Sequence, residues 1–432
     1  MPSLLSNAAS HVRRGIMQRV MARGAGGSGN PDLTSLKKVP RKATYPLRRD
    51  GIHPVPELRA AQATEPVTRL ARLFGMNVWL VTGYDEAKVV LADSTRYSNN
   101  IRHLLGDKQR KGADEVGGLG MTDPPDHTRL RKMLTPEFTR VGLRRLEPLI
   151  DRVVEQTLDE MTETGPDADL VFDFGFRIPF RVISELLGLP EIDFHMFHEL
   201  GAARFDVREG GGGSFGAATS SREYLISEVT RQRTDPGPGL IGALVRDHGD
   251  EFDDVELGGV ADGVLLGGYE TSASMLVMST YLLSQEPEAW QTLQTGTDEE
   301  ISAIVEELLR MLTPVQIAFA RFAREDHELF GRQVRKGDPV LVSLLQANRD
   351  PEVTPDPDRF NPHRDNNGSH LAFGHGMHRC LGAELGKMEM KAALTGLAKR
   401  FPDLALADAP DDVAFRELSI VYGVDTLPVR LW

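Results

Sequence analysis

Between Val260 and Leu283 the chain is almost continuously apolar. The run is too long for a strand and lacks a strand's two-fold alternation, so it predicts a buried helix. Glu270 and Thr271 interrupt it near the middle, directly after Gly267-Gly268. An unpaired carboxylate buried there would cost on the order of several kcal/mol. The glycine pair weakens the helix and predicts a bulged or kinked turn beside those two side chains.

Shorter elements are predicted on either side. Val78–Val81 followed by Thr82-Gly83-Tyr84 predicts a strand and turn leading into a helix over Asp85–Ala92. Asp123-Pro124-Pro125 stops the chain before a helix that carries His127 and Arg131 four apart on one face. Phe176–Leu189 has helical spacing and predicts a core helix, with another over Phe194–Arg204. Glu307 and Arg310 share a helix face further on, Arg321–Asp326 and Lys336–Val340 predict a strand, a turn and a strand, and Leu381–Leu394 predicts a late helix. Asn99–Gly120, Glu209–Ser214 and Arg231–Gly239 are polar and rich in Gly or Pro, which predicts loops, the first of them mobile with a short helix.

Composition bounds what such a chain can be. With 40% hydrophobic and 26% charged residues among 432, it reads as one large soluble domain. A net charge of −13, with no long basic block after residue 50, argues against nucleic acid as a partner. Met1–Asn30 is different: Arg13, Arg14, Arg19 and Arg23 alternate with apolar residues and no acid precedes Asp32. Residues 1–39 read as a flexible N-terminal extension, with an amphipathic targeting or surface-anchoring segment as the alternative. No apolar run here suits a transmembrane segment, and a cytoplasmic protein is expected.

The chain has one cysteine, Cys380. A solitary cysteine forms no internal disulfide, and a structural zinc site needs more ligands than its surroundings offer. Gly374, Gly376 and Gly382 flank it, so the backbone there can approach a flat ligand closely. Placed just before a helix N-terminus, its thiolate is expected to be favoured over the thiol, which suits an axial ligand of haem iron. His127 and Arg131 add two cations on one face, suited to a pair of carboxylates. His195 and His198, three apart, lack a third ligand nearby and read as solvated or capping histidines rather than a metal site.

Phe373-Gly374-x-Gly376-x-His378-x-Cys380-x-Gly382 closely resembles the haem-thiolate loop of the cytochrome P-450 family. The resemblance implies that Cys380 ligates the iron of heme b, that Phe373 packs near the sulfur and that His378 reaches a haem propionate. His127 and Arg131 match the family's propionate-binding helix, and Arg321 falls at a further propionate position. Gly267-Gly268-Tyr269-Glu270-Thr271 resembles the oxygen-activation motif, which makes Glu270 and Thr271 the catalytic acid and hydroxyl. Gly267 and Gly382 count with the cofactor-binding positions. Glu307-Leu308-Leu309-Arg310 matches the Glu-x-x-Arg pair that braces the haem loop with a further arginine, Arg364 or alternatively Arg359. Leu385-Gly386-Lys387 departs from the family's usual Leu-Ala-Arg; Gly386 softens the helix and Lys387 loses a bidentate donor, which bears on stability and partner docking.

What the resemblance implies is a mainly α protein with small β-sheets, the cytochrome P-450 fold in a single large domain over residues 40–432. Its activity would be that of a monooxygenase inserting one atom of O2 into an apolar small molecule, acting as a monomer. Electrons would come from NAD(P)H through a ferredoxin or flavodoxin and its reductase, docked on a basic surface of Arg129, Lys132, Arg140, Arg144 and Arg145. The alternatives are a peroxide-driven peroxygenase of the same fold and a non-catalytic haem ligand-binding protein; Glu270 and Thr271 count against both. Pocket segments are expected at Asn99–Gly120, Ala203–Phe215, Val264–Thr271, Pro314–Phe319 and Ser419–Val421.

Overall fold

The computed structural model describes residues 40–73, 75–100, 118–190 and 211–432, with side chains placed for all of these but 73 and 211–220. The extension 1–39, most of the loop after Asn99, and Phe194–Arg204 with His195 and His198 lie outside the described residues. The longer helices are α1 (Pro56–Thr64), α2 (Tyr84–Ala92), α3 (Asp126–Leu134), α4 (Glu147–Thr164), α5 (Arg177–Leu187), α6 (Gly211–Thr234), α7 (Leu240–His248), α8 (Asp254–Leu283), α9 (Pro287–Thr295), α10 (Asp298–Leu312) and α11 (Ala383–Arg400).

The apolar run is α8, and its neighbours explain why so few of its positions are polar. α5, α6 and α11 all pack against it, so it is buried around most of its circumference. A capping box of Asp253 and Glu256 starts it, and the same device, Thr297 with Glu300, starts α10. The expected bulge at Gly267-Gly268 is not formed. α8 runs through it as an α-helix, because tertiary packing on several sides outweighs the weak propensity of two glycines. The glycine run expected as a loop is also helical from Gly211 onward: it forms the first turn of α6, which packs along α8 and gains stability from that contact.

Strands β1 (Val67–Leu73), β2 (Met76–Val81), β3 (Tyr97–Ser98), β4 (Arg321–Ala323) and β5 (Pro339–Val342) form one sheet in the order β1-β2-β5-β4-β3. Only β2 and β5 pair in parallel. A three-stranded sheet joins Asp167–Asp169, Ala405–Leu406 and Pro428–Arg430. Among the described residues no helix is long and apolar enough to cross a membrane, and no group of three or more His, Cys, Asp or Glu could hold a metal ion.

Candidate active site

The cysteine loop leads from the end of the Pro357–His370 coil into α11. Gly374 and Gly376 adopt φ of +70° and +73°, which a side chain would strain. Gly376 also lies against the end of α2, where an added Cβ would come 2.8 Å from Ala92 Cα. The loop closes on itself where the Cys380 N–H donates to the Phe373 carbonyl at 2.8 Å, and Gly374 N–H donates to Leu371 O at 2.8 Å. Cys380 is a free cysteine. Its thiol is not depressed as expected. The residue is exposed, but protein atoms crowded around the sulfur desolvate it and push the thiol up, and the Gly382 amide, Arg379 and Arg131 only partly offset that.

A cluster of basic groups forms beside this loop. His127 on α3 is buried, and its ring centroid lies 4.3 Å from that of His378. Neither ring nitrogen of His127 has a hydrogen-bond partner among the described residues, nor does His378 Nδ1. Burial, with Arg321 and His127 close by, pushes His378 down to about 3. Arg321, the first residue of β4, is buried, donates to the Phe319 carbonyl at 2.9 Å and is lowered by burial to about 10. Arg131 donates to the Arg379 carbonyl at 2.7 Å. Buried donors without acceptors, crowded by like charges, call for an anion. The two carboxylates of a haem suit this set, so the residues present fit that cofactor.

On α8, Gly267 has nothing within 4 Å of where a Cβ would stand. The Thr271 hydroxyl donates to the Gly267 carbonyl at 2.6 Å, so acid, hydroxyl and bare backbone share one turn. Glu270 is fully buried and pairs through Oε1 with Arg416, while Oε2 has no partner among the described residues. Burial raises the pKa of Glu270, and Arg416 holds the rise in check. Arg416 donates in turn to Asp425 at 2.7 Å, a residue that reaches the surface. The next side chain, Ser272, donates to Glu389 of α11 at 3.0 Å; burial pushes Glu389 up to about 8.

The brace lies behind the loop. Glu307, fully buried on α10, accepts from Arg310 at 2.7 and 2.8 Å, from Arg364 Nε at 3.0 Å and from the Asn361 N–H at 2.9 Å. Arg364 is therefore the third member; Arg359 contributes only its carbonyl, to Arg364. Of the expected pocket segments, Phe319 and Ile420 are exposed, whereas Val421 turns into the core and pairs with Val315 across an isolated bridge. Three of the expected docking cations already have partners: Arg129 with Glu256, Arg140 with Glu384 and Arg145 with Glu137.

A family model described as Cytochrome P450 matches residues 56–187 and 231–411. The chain belongs to the cytochrome P450 family. It is 36% identical over 388 residues to cytochrome P450 165B3 of Amycolatopsis orientalis, across 89% of this chain and 97% of that one. It is 38% identical over 374 residues to nocardicin C N-oxygenase of Nocardia uniformis subsp. tsuyamanensis, across 85% and 93%. Among solved structures it resembles the P450 StaH from glycopeptide antibiotic A47934 biosynthesis, with a TM-score of 0.78, 38% identity, and 90% and 99% of the two chains covered. This P450 is a haem-thiolate monooxygenase, and Cys380 is its only cysteine. The family implies redox partners that supply its electrons.

Two polar residues of the site escape the motif reading. Glu389 falls on the stripe Leu385, Ala393, Leu397 of α11, all buried, and an acid on such a stripe is a readable signal. Arg416 sits in an irregular segment with no period to place it, so only the fold reveals it as the partner of Glu270.

Proposed function

We propose that this P450 oxygenates an apolar small molecule against the Gly267–Thr271 turn, with Cys380 as iron ligand and His127, Arg131, Arg321 and His378 as propionate partners. The observation that carries this reading is the set of buried, unpartnered ring nitrogens of His127 and His378 beside Arg321. When bound, the haem supplies dioxygen activation and transfer of one oxygen atom. The chain supplies the rest. Cys380 gives a thiolate. The Thr271 hydroxyl, its own proton held by the Gly267 carbonyl, turns its oxygen lone pairs to accept and hold a proton-carrying water on the side of α8 where the backbone is bare. Glu270, anchored through one oxygen, has the other available to exchange a proton with water, and its raised pKa keeps a proton to higher pH than an exposed glutamate would. Arg416 and Asp425 connect that acid to the surface by two ion pairs.

Substrate and partners belong to the same reading. One relative is an N-oxygenase of nocardicin C, and StaH comes from the biosynthesis of a glycopeptide antibiotic. The substrate here is a small natural-product scaffold that packs an apolar surface against Ile317, Phe319 and Ile420. Electrons reach it from NAD(P)H through a ferredoxin or flavodoxin and its reductase, and the enzyme works as a cytoplasmic monomer. The test is Thr271→Ala, which leaves the helix and the pocket volume nearly unchanged. The variant should bind haem and substrate and still consume NAD(P)H, with more hydrogen peroxide and less oxygenated product per NAD(P)H. A product-to-NAD(P)H ratio equal to wild type would place the proton path elsewhere.

A further inference from the structure

Lys387, which stands where the family usually has arginine, is not a free docking cation. It lies on α11, about two turns beyond Cys380, and forms a salt bridge with Glu306 of α10. The other oxygen of Glu306 meets His370 Nε2 at 2.9 Å. His370 is almost fully buried, and its Nδ1 accepts the Ala372 N–H at 3.2 Å. With Nδ1 accepting that N–H, the ring turns Nε2 toward Glu306 as its donor. Glu306 and Lys387 supply one anion and one cation to the cluster. Burial alone would push Glu306 up, but the hydrogen bonds from His370 and Lys387 bring it down to about 2.

Both partners of Glu306 also bear on Phe373. Lys387 Nζ stands 5.8 Å from the centre of the Phe373 ring, and the His370 ring is 6.0 Å from it. The Phe373 carbonyl accepts the N–H of Cys380. One carboxylate thus ties the chain entering the cysteine loop to the helix leaving it, with Phe373 between.

We propose that Glu306, His370 and Lys387 form a charge-balanced clamp that positions Phe373 and sets the electrostatic potential at the Cys380 thiolate. Groups outside a metal's own ligand set commonly orient the ligand and tune the metal in this way, and a charge change near a redox centre moves its potential in a direction set by its sign. The proposal rests on Cys380 being the iron ligand, so two readouts are needed. The reduced, carbon-monoxide-bound spectrum reports the ligand, and the midpoint potential of the haem-loaded protein reports the clamp.

Glu306→Gln keeps the hydrogen-bonding shape but leaves the Lys387 cation unbalanced, which should shift the potential positive. Lys387→Met leaves the Glu306 anion unbalanced and should shift it negative. The double variant should return close to wild type, and Lys387→Arg should hold the wild-type value. All four should keep the thiolate band. A merely structural role would not give opposite signs. Shifts of one sign in both single variants, or no shift in Lys387→Met, overturn the clamp. Absence of the thiolate band in the wild type would instead overturn the ligand assignment. If Glu306→Gln takes up no haem, Lys387→Met decides alone: a negative shift sustains the proposal, and an unchanged or positive one ends it.

Discussion

At Cys380 desolvation and the start of a helix pull in opposite directions. An amide from Gly382 and two nearby arginines favour the thiolate, yet desolvation wins and raises the thiol. Serine at this position keeps the loop's shape and loses the sulfur. Cys380→Ser should therefore give at most weakly held haem, without the red-shifted Soret band of a thiolate in the reduced, carbon-monoxide-bound spectrum. A variant that keeps that band rules Cys380 out. Residues of this kind are legible in a sequence where a family motif gathers them: Cys380, His378 and Phe373 fall in one short stretch that resembles the haem-thiolate loop. The cation cluster is legible only in part, since His127 and Arg321 lie almost two hundred residues apart and meet only through the fold.

The two glycines of α8 show how neighbouring positions in one element differ. A methyl group at Gly267 meets nothing within 4 Å, whereas at Gly268 it would come 2.7 Å from Ile183 Cδ1. Alanine in a helix interior is worth about 0.5–1 kcal/mol over glycine. Gly267→Ala should raise the melting temperature and keep the haem; Gly268→Ala should lower it, because crowding a packed interface costs about 1–3 kcal/mol. Equal shifts in thermal unfolding would contradict this reading of α8. In α11 the buried acid sets a pH dependence. Glu389 is raised to about 8 in the folded chain, so the native state binds a proton that the unfolded state releases above about 4.5. Stability associated with this group is full below the unfolded pKa and falls as pH rises toward 8, by about 1.4 kcal/mol per unit at most. Glu389→Gln should thus flatten the urea-midpoint profile between pH 5 and 8 and gain most at the alkaline end. A parallel profile for both proteins would show that Glu389 does not titrate there. The long apolar run made α8 readable in advance. The expected bulge at Gly267-Gly268 and loop at Gly211 failed for a shared reason: glycine content measures local propensity, and helices packed alongside outweigh it.

At the scale of the whole molecule, a long stretch among the described residues that depends on external support is the one after Asp350. From there to the cysteine loop it forms turns and coil with no helix or strand that the longer elements could extend. Its carbonyls are gathered by cations that Glu307 holds in place. Arg310 donates to Pro357 O at 2.9 Å, and Arg364 donates to the carbonyls of Pro355, Asp356 and Arg359. One buried carboxylate on α10 thereby orients two guanidiniums that hold a coil leading to the iron ligand. Removing it leaves both cations buried, still bonded to carbonyls but without their counter-charge. Breaking a buried pair from one side costs about 3–5 kcal/mol, and here two pairs share the same acid. Glu307→Ala should fall in urea midpoint by at least that equivalent and release haem at lower denaturant than wild type. Because the coil is what loosens first, loss of the Soret band should precede loss of helical circular dichroism in the variant. Coincident transitions with an unchanged midpoint would mean that the coil holds itself, and that the brace is only a consequence of the fold around it.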